Sequence, residues 1–160
     1  MSEIKKNSVA RPDDLTAVVR DMFESRIAFN RMLGLKIISI GSDEASVRLA
    51  MRGEFVGNYT RGILHGGVIS ATLDATAGLV AYSSLAQDSL DMSRKERLAR
   101  FSRVGTIDMR VDFLRPGRGD FFIASARTLR KGSRVAVIHT EMHDQNGEMI
   151  ASGTCTYMVG

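Results

Sequence analysis

Between Gly62 and Gln87 the chain reads GILHGGVISATLDATAGLVAYSSLAQ, and Asp74 is the only formally charged side chain in it. Apolar residues from Val68 to Ala81 leave no consistently polar helical face, so the pattern predicts a helix from about Gly67 into the eighties, surrounded by other elements. A carboxylate alone in such surroundings is either a hydrogen-bonded structural group or a reactive one, and spacing leaves the two even. His65, Gly66 and Gly67 stand just before the helix, where first-turn N–H groups lack intrahelical partners and carry the positive end of the dipole. Such a helix start suits an anion or a developing oxyanion.

The run Val68–Ala86 has about the length of a membrane span. A carboxylate near its middle costs about 2.5–3.5 kcal/mol on insertion scales, so a core helix without membrane insertion is expected. The length of 160 residues, 44% hydrophobic and 25% charged, suits one domain. The opening MSEIKKNSVARPDD is polar where a secretory leader is apolar, which predicts a cytoplasmic protein. One cysteine, Cys155, allows no internal disulfide and fits a reducing compartment; it is expected as a small core residue of the last strand. A net charge of +4 and a pI near 9.6 raise the question of acidic partners. The excess sits in Arg94, Lys95, Arg97, Arg100 and Arg103 against Glu96. With a single aromatic, Phe101, in it and no helix-turn-helix pattern, that run reads as a solvated helix face, and nucleic acid is not an expected partner.

Residues 1–11 read as a loose tail. Pro12 with Asp13 and Asp14 predicts a helix start, with Leu15, Val18, Val19, Met22 and Phe23 as its apolar face. A short helix follows over 28–33, ending at Gly34. Residues 35–40 and 45–51 alternate as a hairpin, and 53–61 reads as a loop. After the buried helix, residues 87–103 form a charged insertion in which Ser93 and Glu96 spell a capping box. From Val104 on the period changes: Ile107, Met109, Val111 and Phe113 alternate with Thr106, Asp108, Arg110 and Asp112, predicting a long strand. Turn signals Pro116-Gly117, Lys131-Gly132 and Asn146-Gly147 then delimit a three-stranded meander. The fold class is α+β, with an antiparallel sheet wrapped round a helix. A helix apolar on every side needs more cover than one sheet, which predicts a twofold homodimer.

At HGGVISATLD the sequence resembles the signature of PaaI-like hot-dog thioesterases. FNRMLG (29–34), ILHGGV (63–68), GTIDMRVDFLRPGRG (105–119) and the terminal TYMVG are similar to the YigI-type subfamily, whose members act on medium- and long-chain acyl-CoA. The resemblance implies a hot-dog fold, with an N-terminal tail and helical extension over 1–34 and a single hot-dog domain over 35–160. It implies that Gly66 N–H polarises a thioester carbonyl while Asp74 serves as nucleophile or general base, both roles staying open. Asn58, one position further from the His than in relatives, stands where an Asn or Gln places carbonyl or water. Thr106 falls where a Ser or Thr joins the site. The implied substrate is acyl-CoA, and dimers could pair into a homotetramer.

His65 is a further candidate, as general base or, by preference, as an orienting group. Gly67, Arg115, Arg118, Lys131 and Arg134 are the candidate contacts for coenzyme A, the last four as turn-borne cations suited to its phosphates. No cofactor is required. His139 and His143 share a strand face but lie some 13 Å apart, too far to share one metal ion, and no metal site is indicated. The glycines are not followed by the Lys-Ser/Thr of a P-loop. Two other functions remain: a hot-dog hydratase or dehydratase using His65 with Asp74, and a non-catalytic acyl-CoA sensor.

Overall fold

The computed structural model describes residues 12–160; the tail expected over residues 1–11 lies outside the described residues, as do the side chains of residues 12–15. In chain order, α1 (Pro12–Asp21) runs into a π-helical turn (Met22–Arg26), α2 (Ala28–Leu33) and the hairpin of β1 (Lys36–Ile40) with β2 (Glu44–Ala50). A 3-10 turn (Gly53–Phe55), β3 (Val56–Asn58) and β4 (Ile63–Leu64) lead into α3 (Gly66–Gln87) and α4 (Arg94–Phe101). The chain closes with β5 (Gly105–Phe113), β6 (Phe121–Lys131), β7 (Val135–Asp144) and β8 (Met149–Met158).

Six strands form one antiparallel sheet in the order β1-β2-β6-β7-β8-β5. The expected meander is there, and β5 crosses over to pair with β8 at the sheet edge. The sheet's concave face is apolar. Val47, Leu49, Phe122, Ala124, Ile138, Met142 and Cys155 are buried there, together with Leu73, Ala77, Leu79 and Val80 of α3. Within α3, the hydroxyls of Thr72 and Thr76 donate to Val68 O and Thr72 O at 2.8 and 2.7 Å. These bonds satisfy them inside the helix, so they can face a core. This is the architecture that the hot-dog resemblance implies.

On its other side α3 meets α1; Val19 of α1 and Phe23 of the π-helical turn are buried but Val18 is 56% exposed, so the expected apolar face is narrower than its sequence suggests. A stripe of α3 comprising Val68, Ala71, Asp74, Ala75 and Tyr82 stays half-buried. By length and composition α3 could cross a membrane, yet 61% of its apolar window is buried inside the molecule. The stretch expected as a loop over 53–61 contains instead the 3-10 turn and β3, which pairs with β4 through Val56–Leu64 and Asn58–Ile63. Strands of two and three residues are too short to show a period. α4 carries the capping box at Ser93 and Glu96, and its Phe101 ring meets Tyr82 edge to face at 5.8 Å.

Candidate active site

The site starts where β4 delivers His65 to the head of α3. His65 is extended (φ −67°, ψ 132°) and caps the helix: its Nδ1 accepts the Gly67 N–H at 2.8 Å. Val68 and Ile69 N–H both turn back to His65 O, at 2.9 and 3.1 Å. Among the described residues this leaves Gly66 N–H without a hydrogen-bond partner, an orphan donor at the positive end of the dipole. A Cβ on Gly67 would stand 3.0 Å from His65 Nδ1, so glycine is what lets the ring fold over the turn. With Nδ1 as acceptor, the neutral ring carries its proton on Nε2. Nδ1 is then occupied in holding the turn.

Asp74 lies eight positions beyond Gly66, roughly 12 Å along the axis at about 1.5 Å per residue. Its Oδ1 accepts the Thr106 hydroxyl at 2.9 Å and the Tyr157 hydroxyl at 2.6 Å, and Tyr157 also reaches Asp74 O at 2.6 Å. Thr106 reaches the carboxylate because β5 is irregular. Register against β8 passes from Thr106–Tyr157 to Asp108–Thr156, so an extra residue at Ile107 turns Thr106 onto the concave face with Met109. Unbroken alternation would have put it outside. Such bulges re-aim side chains. Tyr157 was not among the expected residues. Burial pushes its hydroxyl well above the ordinary tyrosine range, with the bond to Asp74 and its negative charge adding to the rise, so Tyr157 is a standing donor.

Two hollows meet along α3. A cleft of about 490 Å³ is lined by Phe29, Met32, Phe55, His65, Gly67 and Val68, and a smaller one of about 240 Å³ by Asp74, Gly78, Tyr82, Val104 and Thr106; Phe29 and Ala71 line both. The larger is of the size that holds small-molecule ligands. Its outer wall is fixed by Arg52, whose guanidinium lies 4.1 Å from the Phe55 ring centre and donates to Met32 O. An apolar path therefore runs from the helix start to the carboxylate.

The remaining candidates scatter. Asn58 Oδ1 accepts from Thr60 N–H and Thr60 Oγ1 at 3.1 and 2.7 Å, a local turn. Arg115 pairs with Glu148 at 2.8 Å and donates to Met149 O, and Arg118 donates to Arg61 O. Both flank Gly117, whose carbonyl accepts Leu64 N–H at 2.9 Å, so they stand near the head of α3. Lys131 works at the opposite end, donating to Ser84 O and pairing with Asp88 at 2.6 Å. Arg134 follows it in the β6–β7 turn. One coenzyme A could not touch all four within one chain, since Ser84 is roughly 15 Å beyond Asp74 along α3. His139 and His143 both face Glu141 on the convex side of β7, at 3.1 and 3.9 Å. Among the described residues no group of three His, Cys, Asp or Glu is placed to hold a metal ion.

A helix-wrapping sheet, an orphan N–H at the helix head and a carboxylate beside an apolar hollow are the arrangement that the hot-dog thioesterase resemblance implies. The thioesterase superfamily model matches residues 61–151, and the chain belongs to that superfamily. It is 42% identical to the medium/long-chain acyl-CoA thioesterase YigI of Escherichia coli K12, over 96% of this chain and 99% of that protein. Identity to YigI of Salmonella typhimurium is 43%, with the same two coverages. A solved structure from Shewanella oneidensis related to the thioesterase superfamily superposes with a TM-score of 0.87 at 40% identity, covering 93% of this chain and 97% of that one. The Escherichia coli PaaI protein superposes at 0.74 with 22% identity over 94% and 96%, a likeness of fold. The α+β hot-dog fold and the PaaI-like, YigI-type kinship expected from the motifs are thereby established.

Proposed function

We propose that this protein is an acyl-CoA thioesterase that hydrolyses medium- and long-chain acyl-CoA to fatty acid and coenzyme A. The observation that carries the reading is Asp74: a carboxylate held by two hydroxyl donors on one oxygen, lining a hollow that adjoins the apolar cleft beside the head of α3. Substrate enters with its acyl chain in the cleft lined by Phe29, Met32 and Val68. The thioester oxygen receives the N–H of Gly66 of the partner subunit in the homodimer, which stabilises it as charge develops. Along the base route, Asp74 takes a proton from water as the hydroxyl adds to the carbonyl carbon; the tetrahedral intermediate then expels the coenzyme A thiolate, which recovers that proton. Along the nucleophile route, Asp74 adds to the carbonyl, the same thiolate leaves, and water hydrolyses the mixed anhydride. No cofactor takes part in either.

His65 orients the first turn. Because its Nδ1 holds Gly67 N–H, it is not available as the base of a hydratase pair with Asp74, which favours hydrolysis. Arg115 and Arg118, near the helix head, are better placed for the phosphates of coenzyme A than Lys131 and Arg134. Asn58 retains its amide nitrogen for substrate or water. The working form is a cytoplasmic homodimer without membrane insertion.

The test is release of free coenzyme A from an acyl-CoA series running from butyryl to stearoyl, wild type against Asp74→Asn of equal fold. Turnover should be highest for the longer chains and fall on the order of 10²–10⁴-fold in the variant. Tight acyl-CoA binding without release would make the protein a sensor and end the enzymatic reading.

A further inference from the structure

The cluster round Asp74 assigns its two oxygens different work. Oδ1 accepts from Thr106 at 2.9 Å and from Tyr157 at 2.6 Å, whereas no donor among the described residues reaches Oδ2. A carboxylate with one oxygen doubly held cannot rotate to exchange the two without breaking both bonds, and Asp74 is among the residues that line the smaller hollow. Tyr157 has one proton and divides it between Asp74 Oδ1 and Asp74 O, which ties the side chain to its own backbone. The bond is therefore aimed at the side-chain torsions as well as at the charge.

Gly78 shows independently that the sequence makes room for this hydroxyl. It lies inside α3, where glycine costs about 1 kcal/mol relative to alanine, and no turn or left-handed backbone calls for it: its φ is not positive. A Cβ there would meet Tyr157 Oη at 3.2 Å and the ring at 3.6 Å. One turn after Asp74, the helix is thinned at the spot where the phenol passes.

We infer that Tyr157, admitted by Gly78 and seconded by Thr106, is a positioning residue that clamps Oδ1 of Asp74 and so makes Oδ2 the oxygen that meets water or the thioester. The inference rests on Asp74 being the acting carboxylate. Neither hydroxyl touches the reacting atoms; both act through Asp74.

Four variants test it beside Asp74→Asn, with kcat, KM and melting temperature read for each on one long-chain acyl-CoA. Tyr157→Phe should lower kcat roughly 10- to 100-fold, the scale of a misplacement by about 1 Å, with KM within about twofold and melting little changed. Thr106→Val should do the same in smaller measure, and Thr106→Ser, which keeps the donor, should restore kcat. Gly78→Ala is the sharpest variant. It improves helix propensity, so melting should hold or rise, while crowding of the hydroxyl lowers kcat. Wild-type kcat in Tyr157→Phe, with Asp74→Asn inactive, overturns the positioning role. A kcat loss in Tyr157→Phe that tracks lost melting temperature, with Gly78→Ala fully active, makes Tyr157 merely structural and overturns it too. Full activity in Asp74→Asn would instead remove the underlying assignment of Asp74.

Discussion

Cys155 and Tyr157 face α3 from the same strand, and burial acts on both. The Cys155 thiol is pushed up to about 12, mainly by desolvation and then by the nearby Asp74 carboxylate. Since the thiolate is the nucleophile, the native protein should not react with an aromatic disulfide reagent at about pH 8, below even the ordinary thiol value of about 8.5. One thiol per chain should appear on unfolding, and rapid labelling of the native form would contradict the burial. Legibility varied at this scale for physical reasons. Asp74 stood out because a charge in an apolar window is costly to ignore. Gly66 and His65 stood out because helix heads have obligatory orphan donors. Tyr157 entered only as part of the terminal TYMVG and gave no signal of a site role: a tyrosine in an alternating strand is ordinary, and its partner lies 83 positions away in sequence. Thr106 came only through the family motif, since plain alternation of β5 points it outward and only the bulge at Ile107 turns it in.

Elements were read best where a period had room to repeat. The hairpin of β1 and β2, the long α3, the capping box of α4 and the three-stranded meander all carry several repeats or a specific end signal. β3 and β4 do not, and the π-helical turn at Met22–Arg26 is set by what docks on it. That docking is a small network. Glu24 accepts Ile37 N–H at 2.8 Å, Lys36 at 3.3 Å and Arg20 at 3.3 Å, and Arg20 also donates to Ile37 O. Burial pushes the Glu24 carboxyl upward, but the Ile37 bond and the two cations outweigh it and hold the group below its ordinary 4.5. A carboxyl depressed on folding stabilises above its unfolded value and loses that contribution as pH falls through its folded value. Glu24→Gln should therefore melt a few degrees lower than wild type near pH 7, consistent with a partly exposed network. The gap should narrow in a melting series as pH falls below the ordinary carboxyl value and through the lower folded one. A gap that persists in acid would mean the loss is one of packing.

For the whole molecule, the question is what covers the exposed side of the site. β5 is one edge of the sheet, its outer rim unpaired among the described residues, with Ile107 and Phe113 on it and Leu114 just beyond it exposed by 52%, 56% and 49%. Edges of that kind pair or are shielded. A reacting carbonyl must come within about 3 Å of both the oxyanion donor and the carboxylate, yet Gly66 and Asp74 are roughly 12 Å apart along one helix. A twofold pairing along β5 would resolve the mismatch by setting Asp74 opposite Gly66 of the partner subunit, the arrangement we propose. Gly66 is the first residue of α3, where proline is tolerated, so Gly66→Pro deletes the N–H with little cost to the helix, although its ring must displace Phe113, 3.3 Å from a Cβ at this position. Differently tagged Asp74→Asn and Gly66→Pro chains, each first shown inactive but folded, can be co-expressed and the mixed dimer isolated. If sites are shared between subunits, one site collects both lesions and the other neither, and the mixed dimer should recover about half the wild-type turnover. If each chain carries its own complete site, every site has one lesion and the mixed dimer stays inactive. A wild-type protein that is active as a monomer at assay concentration would also defeat the shared site.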